Sequence, residues 1–292
     1  MTAATGTGTA GVGVGVGVGV PTDPDPVVTD LAPATLVRAL DRHGWVLSER
    51  WARIQGGFVR AQEDLLVTIV GEPVAFTNGI QGARFQPDEA DGRIAEVVDV
   101  LRAHGVPATW WVGPDDSPTD LGQRLEAHGF RHDYDLPWMA CGLEGFTAIR
   151  AQVPLQVQLV DGPEAQARCQ EAMRVGFGME DAELHAMARL GDAVGYAPDA
   201  PLQRFVGLVE GRAVASSGAM LGGGIAGIYS VSTAPALRGR GIGAAMTSAA
   251  MLRARELGYR VAMLGSAARA LPLYRRIGFR PVCTVTMYLW EP

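Results

Sequence analysis

The chain has 292 residues, 48% hydrophobic and 19% charged, with a formal net charge of −6. That length suits two domains with cores of ordinary size, and the acidic balance argues against an extended nucleic-acid surface, which shows as a basic domain. No run reaches the roughly 20 apolar residues of a membrane span, no charged n-region leads into a Leu-rich stretch at the N-terminus, and Cys141, Cys169 and Cys283 form no CxxC pair. Reduced thiols in a cytoplasmic protein are expected, with no zinc, no disulfide, no membrane and no nucleic-acid partner.

Residues 1–26, ending in GVGVGVGVGV and PTDPDP, predict a disordered tail, because glycine at every second position leaves little to bury and costs backbone entropy to order. Residues 27–145 form a first domain. Leu36, Ala39, Leu40 and His43 fall at helix spacing, and a second helix covers Trp51 to Val59. Leu65 to Val70 reads as a strand ended by Gly71-Glu72-Pro73. Asp91 to His104 is a helix with Gly105 at its stop, 108–112 (ATWWV) a strand, Leu121 to His128 a helix closed by Gly129, and Trp138 to Leu143 a strand. This alternation predicts an α/β domain. Trp110 and Trp111 are expected in the core and at the interface rather than as a ligand platform.

Residues 146–154 connect to a second domain, 154–292. It opens with a strand at 157–160 and helices between Glu164 and Asp192. Three strands then follow in close order, Arg204–Val209, Val214–Leu221 and Ile225–Thr233, joined by Glu210-Gly211 and Gly222–Gly224 as a meander. A helix over Gly243–Leu257, a strand over Val261–Leu264, a short helix near Leu271–Ile277 and a last strand over Cys283–Trp290 complete the chain.

The stretch with chemical content lies between a strand and a helix and runs Val231-Ser-Thr-Ala-Pro-Ala-Leu-Arg-Gly-Arg-Gly-Ile-Gly-Ala244. Glycines at 239, 241 and 243 remove side chains where the backbone turns, so several N–H groups can face one anion. The helix that follows adds its positive end, and Arg238 and Arg240 can add charge-assisted contacts. This is a diphosphate site in outline. It has neither the Gly-Lys-Ser/Thr of a nucleotide-hydrolysing loop nor the glycine spacing of a dinucleotide fold.

Arg238-Gly-Arg-Gly241-Ile-Gly243 resembles the R/Q-x-x-G-x-G/A motif of the GNAT superfamily of acyl-CoA N-acyltransferases. Thr233-x-Pro235 before it and Leu273-Tyr274-Arg-Arg-Ile-Gly278-Phe279 after it are similar to that family's flanking signatures, in the same element order. The resemblance implies acetyl-CoA as co-substrate, with Val231, Ser232 and Thr233 along the pantetheine arm. The Val231 amide would donate to the thioester oxygen. Amides of Gly239, Arg240, Gly241, Ile242, Gly243 and Ala244 would hold the pyrophosphate, beside Arg238. Tyr274 would protonate the leaving thiolate. Ser266 and Ala267 stand where many relatives carry an Asn that contacts the cofactor. The strand 225–233 lacks the acid that many relatives use as a base; water, Glu180, Asp181, Glu183 or His185 could serve instead.

Residues 91–130 echo the same half-fold, with Leu125 where the tyrosine would stand and Arg84-Phe-Gln-Pro-Asp-Glu-Ala-Asp-Gly92 where the phosphate loop would be. Carboxylates there would repel a pyrophosphate. The expected architecture is α/β (α+β): two tandem GNAT-like domains, each a mixed, largely antiparallel sheet flanked by helices, the first degenerate and walling the acceptor pocket. The expected function is acetyl transfer to a small-molecule amine or peptide acceptor by a monomer or homodimer. The alternative is a non-catalytic acyl-CoA sensor.

Overall fold

The computed structural model describes residues 25–292, so the predicted Gly-Val tail lies almost wholly outside the described residues. Asp25, at the edge of that tail, accepts a 2.6 Å hydrogen bond from Arg42, and the Val28 amide donates to Gly224 across the molecule. Pro33, suited to a first helical turn, starts α1 (Pro33–Ile54). One helix stands where the spacing suggested two, and it ends at Ile54, so Phe58 and Val59 are extended and not helical; Gly44 within it is a packing site. A Cβ there would come within 2.7 Å of the Gln81 side chain, whose amide donates to the Gly44 carbonyl.

The first half continues with β1 (Phe58–Gln62), β2 (Leu65–Ile69), β3 (Gly79–Gln81), α2 (Ala90–His104), β4 (Ala108–Val112), α3 (Leu121–Ala127) and β5 (Arg131–Gly142). The second half contains β6 (Gln156–Leu159), α4 (Pro163–Phe177), α5 (Asp181–Val194), β7 (Leu202–Val209), β8 (Arg212–Gly222), β9 (Ile225–Thr233), α6 (Ile242–Glu256), β10 (Val261–Gly265), α7 (Leu271–Ile277) and β11 (Arg280–Trp290). Three features had no signal in the sequence: β1, β3 and the polar start of β5. The first is a half-exposed edge and the second is three residues long. The third is mostly charged or exposed and extends only because β11 pairs along it. Among the described residues no helix is long and apolar enough to cross a membrane.

All strands join one sheet in the order β1-β2-β3-β4-β11-β5-β10-β9-β8-β7-β6. Each half keeps one parallel pair, β3 with β4 and β9 with β10, linked by the crossover helices α2 and α6. Between these pairs the last strands are exchanged. The last strand of the second half, β11, lies between β4 and β5, and the last strand of the first half, β5, lies between β11 and β10. The run β4-β11-β5-β10 therefore has the same form read from either end, and neither half completes its sheet alone.

On one face α6 and α7 bury Ala215, Ala219, Ile228, Met246 and Phe279. On the other, α1, α4 and α5 cover Trp138, Val206, Met220 and Ile225. Arg204 on β7 is buried and ties the second face together. It donates to Gln166 Oε1 (2.6 Å), Gly191 O (3.2 Å) and Gly195 O (3.0 Å), and its guanidinium lies 4.9 Å from the Tyr196 ring centroid. Gly191 makes the room, since a Cβ there would overlap the guanidinium. Arg204→Ala is expected to cost about 3–5 kcal/mol in denaturant unfolding, because it strands buried acceptors and leaves a void. A cost under about 1 kcal/mol would show that the bonds add nothing net.

Candidate functional site

The site begins where β9 and β10 part. They pair in parallel only at Ala226–Ala262 and Gly227–Met263. Beyond that point β10 stays with β5 as far as Gly265–Trp138, and β9 bulges away. The register on β8 steps from Gly218–Tyr229 to Ser216–Ser232, which leaves Ser230 and Val231 opposite Ser217 alone. Ser230 takes a left-handed φ of 52°, the backbone signature of an inserted residue. The bulge is fixed from both sides. Ser216 Oγ donates to Ser230 O at 2.7 Å and lies 2.7 Å from Ser232 Oγ, which also reaches Ala172 O on α4. Ser232 is thus buried beneath α4, and Val231 sits in the gap with no register partner on β8 or β10.

The glycine loop faces the same opening. Gly239 and Gly241 have φ of 78° and 76°, and a Cβ on Gly239 would meet only open space. The α6 helix starts at Ile242, and the first hydrogen bond into this turn runs from Ala245 N to Gly241 O. The amides of Ile242, Gly243 and Ala244 therefore have no intrahelical acceptor and, with the helix dipole, suit an anion. Arg240 is exposed on this loop. Arg238 has a task the sequence did not indicate: its guanidinium donates to Thr233 O (3.2 Å) and Gly176 O (2.8 Å), stapling the loop to the end of β9 and to α4. Behind the loop, the Gln152 amide donates to Arg240 O at 2.9 Å and the Ile149 amide to Ser248 Oγ at 3.0 Å, so the connector between the halves braces it.

Tyr274 reaches the region from α7. It is buried, edge-on to Phe279 at 5.8 Å, and close enough to the Thr247 hydroxyl on α6 for that group to act on its phenol. Burial raises the phenol above its ordinary pKa, with Thr247 opposing, so it stays protonated through the neutral range. Ser266 is buried and structural: its amide donates to Pro137 O (2.8 Å) and its hydroxyl to Ala267 O (3.0 Å), while Ala267 is exposed. The acids and imidazole considered as bases have the following surroundings. Glu180 and Glu183 form the capping box of α5, Asp181 pairs with Arg174 at 2.7 Å, and His185 is exposed.

The equivalent place in the first half is closed. β3 and β4 stay paired through Gln81–Trp111, and the line continues with Ser117 N to Ala83 O (2.9 Å) and Phe85 N to Ser117 O (3.2 Å). Glu89 and Asp91 stand at the start of α2, and Leu125 is buried in the core. That half has neither gap nor cationic loop.

A cavity of about 710 Å³ runs over the sheet face beneath α1 and α5. It touches Tyr229 and Ser230 at the bulge, passes Trp138 and Val285, and reaches Trp111, Arg84, Asp41 and Asp116 in the first half. Trp110 is core, edge-on to Phe85 and Phe130, as expected, whereas Trp111 lines the cavity. The Asp pair had no sequence signal; it matters only because α1 and the turn after β4 converge. Arg84 pairs with Asp41 at 3.1 Å, and Asp116 accepts from the Gly113 amide at 3.1 Å. Burial pushes Asp116 from 3.8 to about 7. Between those values the folded state holds a proton that the unfolded state has lost, so this group makes stability fall as pH rises from about 4 to 7. Asp116→Asn is expected to remove that decline and to be more stable than the parent at pH 8; parallel stability curves would refute it. Burial also raises the thiols, Cys169 and Cys283 each to about 11, and all three cysteines are free.

Residues 201–281 match the family model for the acetyltransferase (GNAT) domain. These residues form a GNAT domain. No curated protein matches the chain. In fold, the chain is similar to a GCN5-related N-acetyltransferase from Kribbella flavida, with TM-score 0.64 and 19% identity over 82% of this chain and 95% of that one. It is also similar to a GCN5-related N-acetyltransferase from Sphaerobacter thermophilus (0.56, 18%, 92% and 97%) and to a tandem GNAT protein from the clavulanic acid biosynthesis pathway (0.55, 12%, 91% and 97%). The first half shares this GNAT-like fold, and the arrangement is tandem. The parted β9–β10 end and the loop at 239–244 are thus features of a GNAT domain, and their open amides fit an acyl-CoA diphosphate.

Proposed function

We propose that the chain is an N-acyltransferase that moves an acetyl group from acetyl-CoA to an amine by direct attack. The observation that carries this reading is the gap between β9 and β10, opened by the Ser230 bulge and ending on the unpaired first-turn amides of α6. Amides of 239–244 hold the pyrophosphate, with Arg240 as the cation free to reach it. The pantetheine arm lies along Val231–Thr233, where one strand edge lacks a partner. The Val231 amide donates to the thioester oxygen as it gains charge, and Tyr274 gives its proton to the departing CoA sulfur.

The amine loses its proton to water, since β9 carries no acid or imidazole. The acceptor enters from the cavity, which meets the bulge at Ser230 on the face away from α6. The test is release of free CoA thiol from acetyl-CoA over a panel of small amines and peptides. Amine-dependent release supports the enzyme. Tight acetyl-CoA binding with no release for any amine points to the sensor, which the bare β9 strand favours.

A further inference from the structure

The cavity crosses the sheet from Ser230 on β9 to Trp111 on β4, four strand spacings or about 19 Å. At about 710 Å³ it has the size of a site for a drug-sized molecule. It touches the bulge where the proposed transfer takes place, so its lining is what an acceptor meets.

The polar side chains of that lining are largely engaged by the protein itself. Gln55 donates to Trp51 O, Thr68 to Gly79 O, Thr77 to Val74 O and Gln81 to Gly44 O. The His43 ring nitrogen Nδ1 lies 2.7 Å from Gly222 O. The charges are answered in the same way. Arg84 pairs with Asp41 and Arg42 with Asp25, and Asp116 accepts from the Gly113 amide. Burial raises Asp116 to about 7, so near neutral pH it is partly protonated. Arg38 and Glu63 are exposed, where water solvates them.

What remains for an occupant is hydrocarbon. Helix α1 supplies Trp45 and Trp51, α5 supplies Met187 and Leu190, and the sheet supplies Trp111 and Val285. Phe76 lines the cavity as well and is 43% exposed, so the apolar surface reaches solvent there.

Building on the acetyltransferase reading, we infer that the acceptor is a hydrophobic amine whose one charged group is the reacting nitrogen: the nitrogen meets Ser230 and the apolar body fills the cavity beneath α1 and α5. Apolar area taken from water against these walls supplies the affinity. A second ammonium would have to leave water for a place where the carboxylates already have partners, which is costly.

Calorimetric titration of butylamine, hexylamine, octylamine and 1,8-diaminooctane into the protein saturated with free CoA tests this without turnover. Each added pair of methylenes is expected to tighten binding by about tenfold, and diaminooctane is expected to bind at least about tenfold more weakly than octylamine. Met187→Trp, which fills the cavity from the half-buried face of α5, is expected to flatten the dependence on length while CoA still binds. Equal binding from butylamine to octylamine, or diaminooctane as tight as octylamine, overturns the inference. No binding of any amine by protein that binds CoA also overturns it and leaves the acetyltransferase reading standing. Octanoyl-CoA binding more tightly than acetyl-CoA, with no alkylamine bound, would give the cavity to the acyl chain and overturn it too. Length-dependent amine binding with no thiol released from acetyl-CoA upholds the hydrophobic amine site and sinks the enzyme.

Discussion

Tyr274→Phe is expected to lower the rate of acetyl transfer by about 10²–10⁴-fold, the usual range for loss of a positioned proton donor, with little change in acetyl-CoA affinity. The ring stays packed edge-on to Phe279, so the fold is kept. What goes is one hydroxyl near Thr247, and loss of a hydrogen-bonding group costs about 1 kcal/mol of stability. A large fall in kcat beside a small fall in stability separates a proton donor from a core tyrosine. Steady-state kinetics with free-thiol detection, together with a denaturation curve, would read both. A variant with unchanged kcat would reduce Tyr274 to packing.

Gly241→Asp is expected to weaken acetyl-CoA binding by at least about 100-fold. The residue sits at φ 76° at the start of α6, beside the amides of Ile242, Gly243 and Ala244. A Cβ there has space, its nearest neighbour being Ala151 Cα at 3.5 Å. Some strain follows at that left-handed φ for any side chain, and the damage specific to Asp is electrostatic. A carboxylate about 4 Å from a phosphate charge costs about 4 kcal/mol at an effective dielectric of 20, and each 1.4 kcal/mol is tenfold in affinity. Gly241→Asn is the control, because Asn tolerates the left-handed conformation and has nearly the same shape. It should bind within about tenfold of the parent, since only the charge differs. Equal losses in both variants would mean that the loop conformation, not its charge, was disturbed.

The glycine loop was legible in the sequence because its signal is local: glycines at fixed spacing, a strand before and a helix after. Tyr274 was legible for the same reason, through its neighbours Gly278 and Phe279. That the bulge falls at Ser230 was not, because it is held by Ser216 and Ser232, partners that the sheet brings together. The exchange of β5 and β11 left no trace either. Arg131–Asp135 has the composition of a loop and becomes a strand only where Thr286 to Leu289 pair with it. Asp41 and Asp116 are 75 positions apart and line one cavity only in the folded chain. Local motifs carried the glycine loop and α7, and tertiary pairing carried the bulge and the cavity.

The related halves differ at one place: β9 and β10 part, whereas β3 and β4 are sealed through Ser117. Calorimetric titration of acetyl-CoA into the full chain tests that most directly. The expected result is one molecule bound per chain, lost in Gly241→Asp and kept in Gly241→Asn. Two molecules per chain, or binding that survives Gly241→Asp, would contradict the placement, and no binding by the folded protein would contradict the acyltransferase itself.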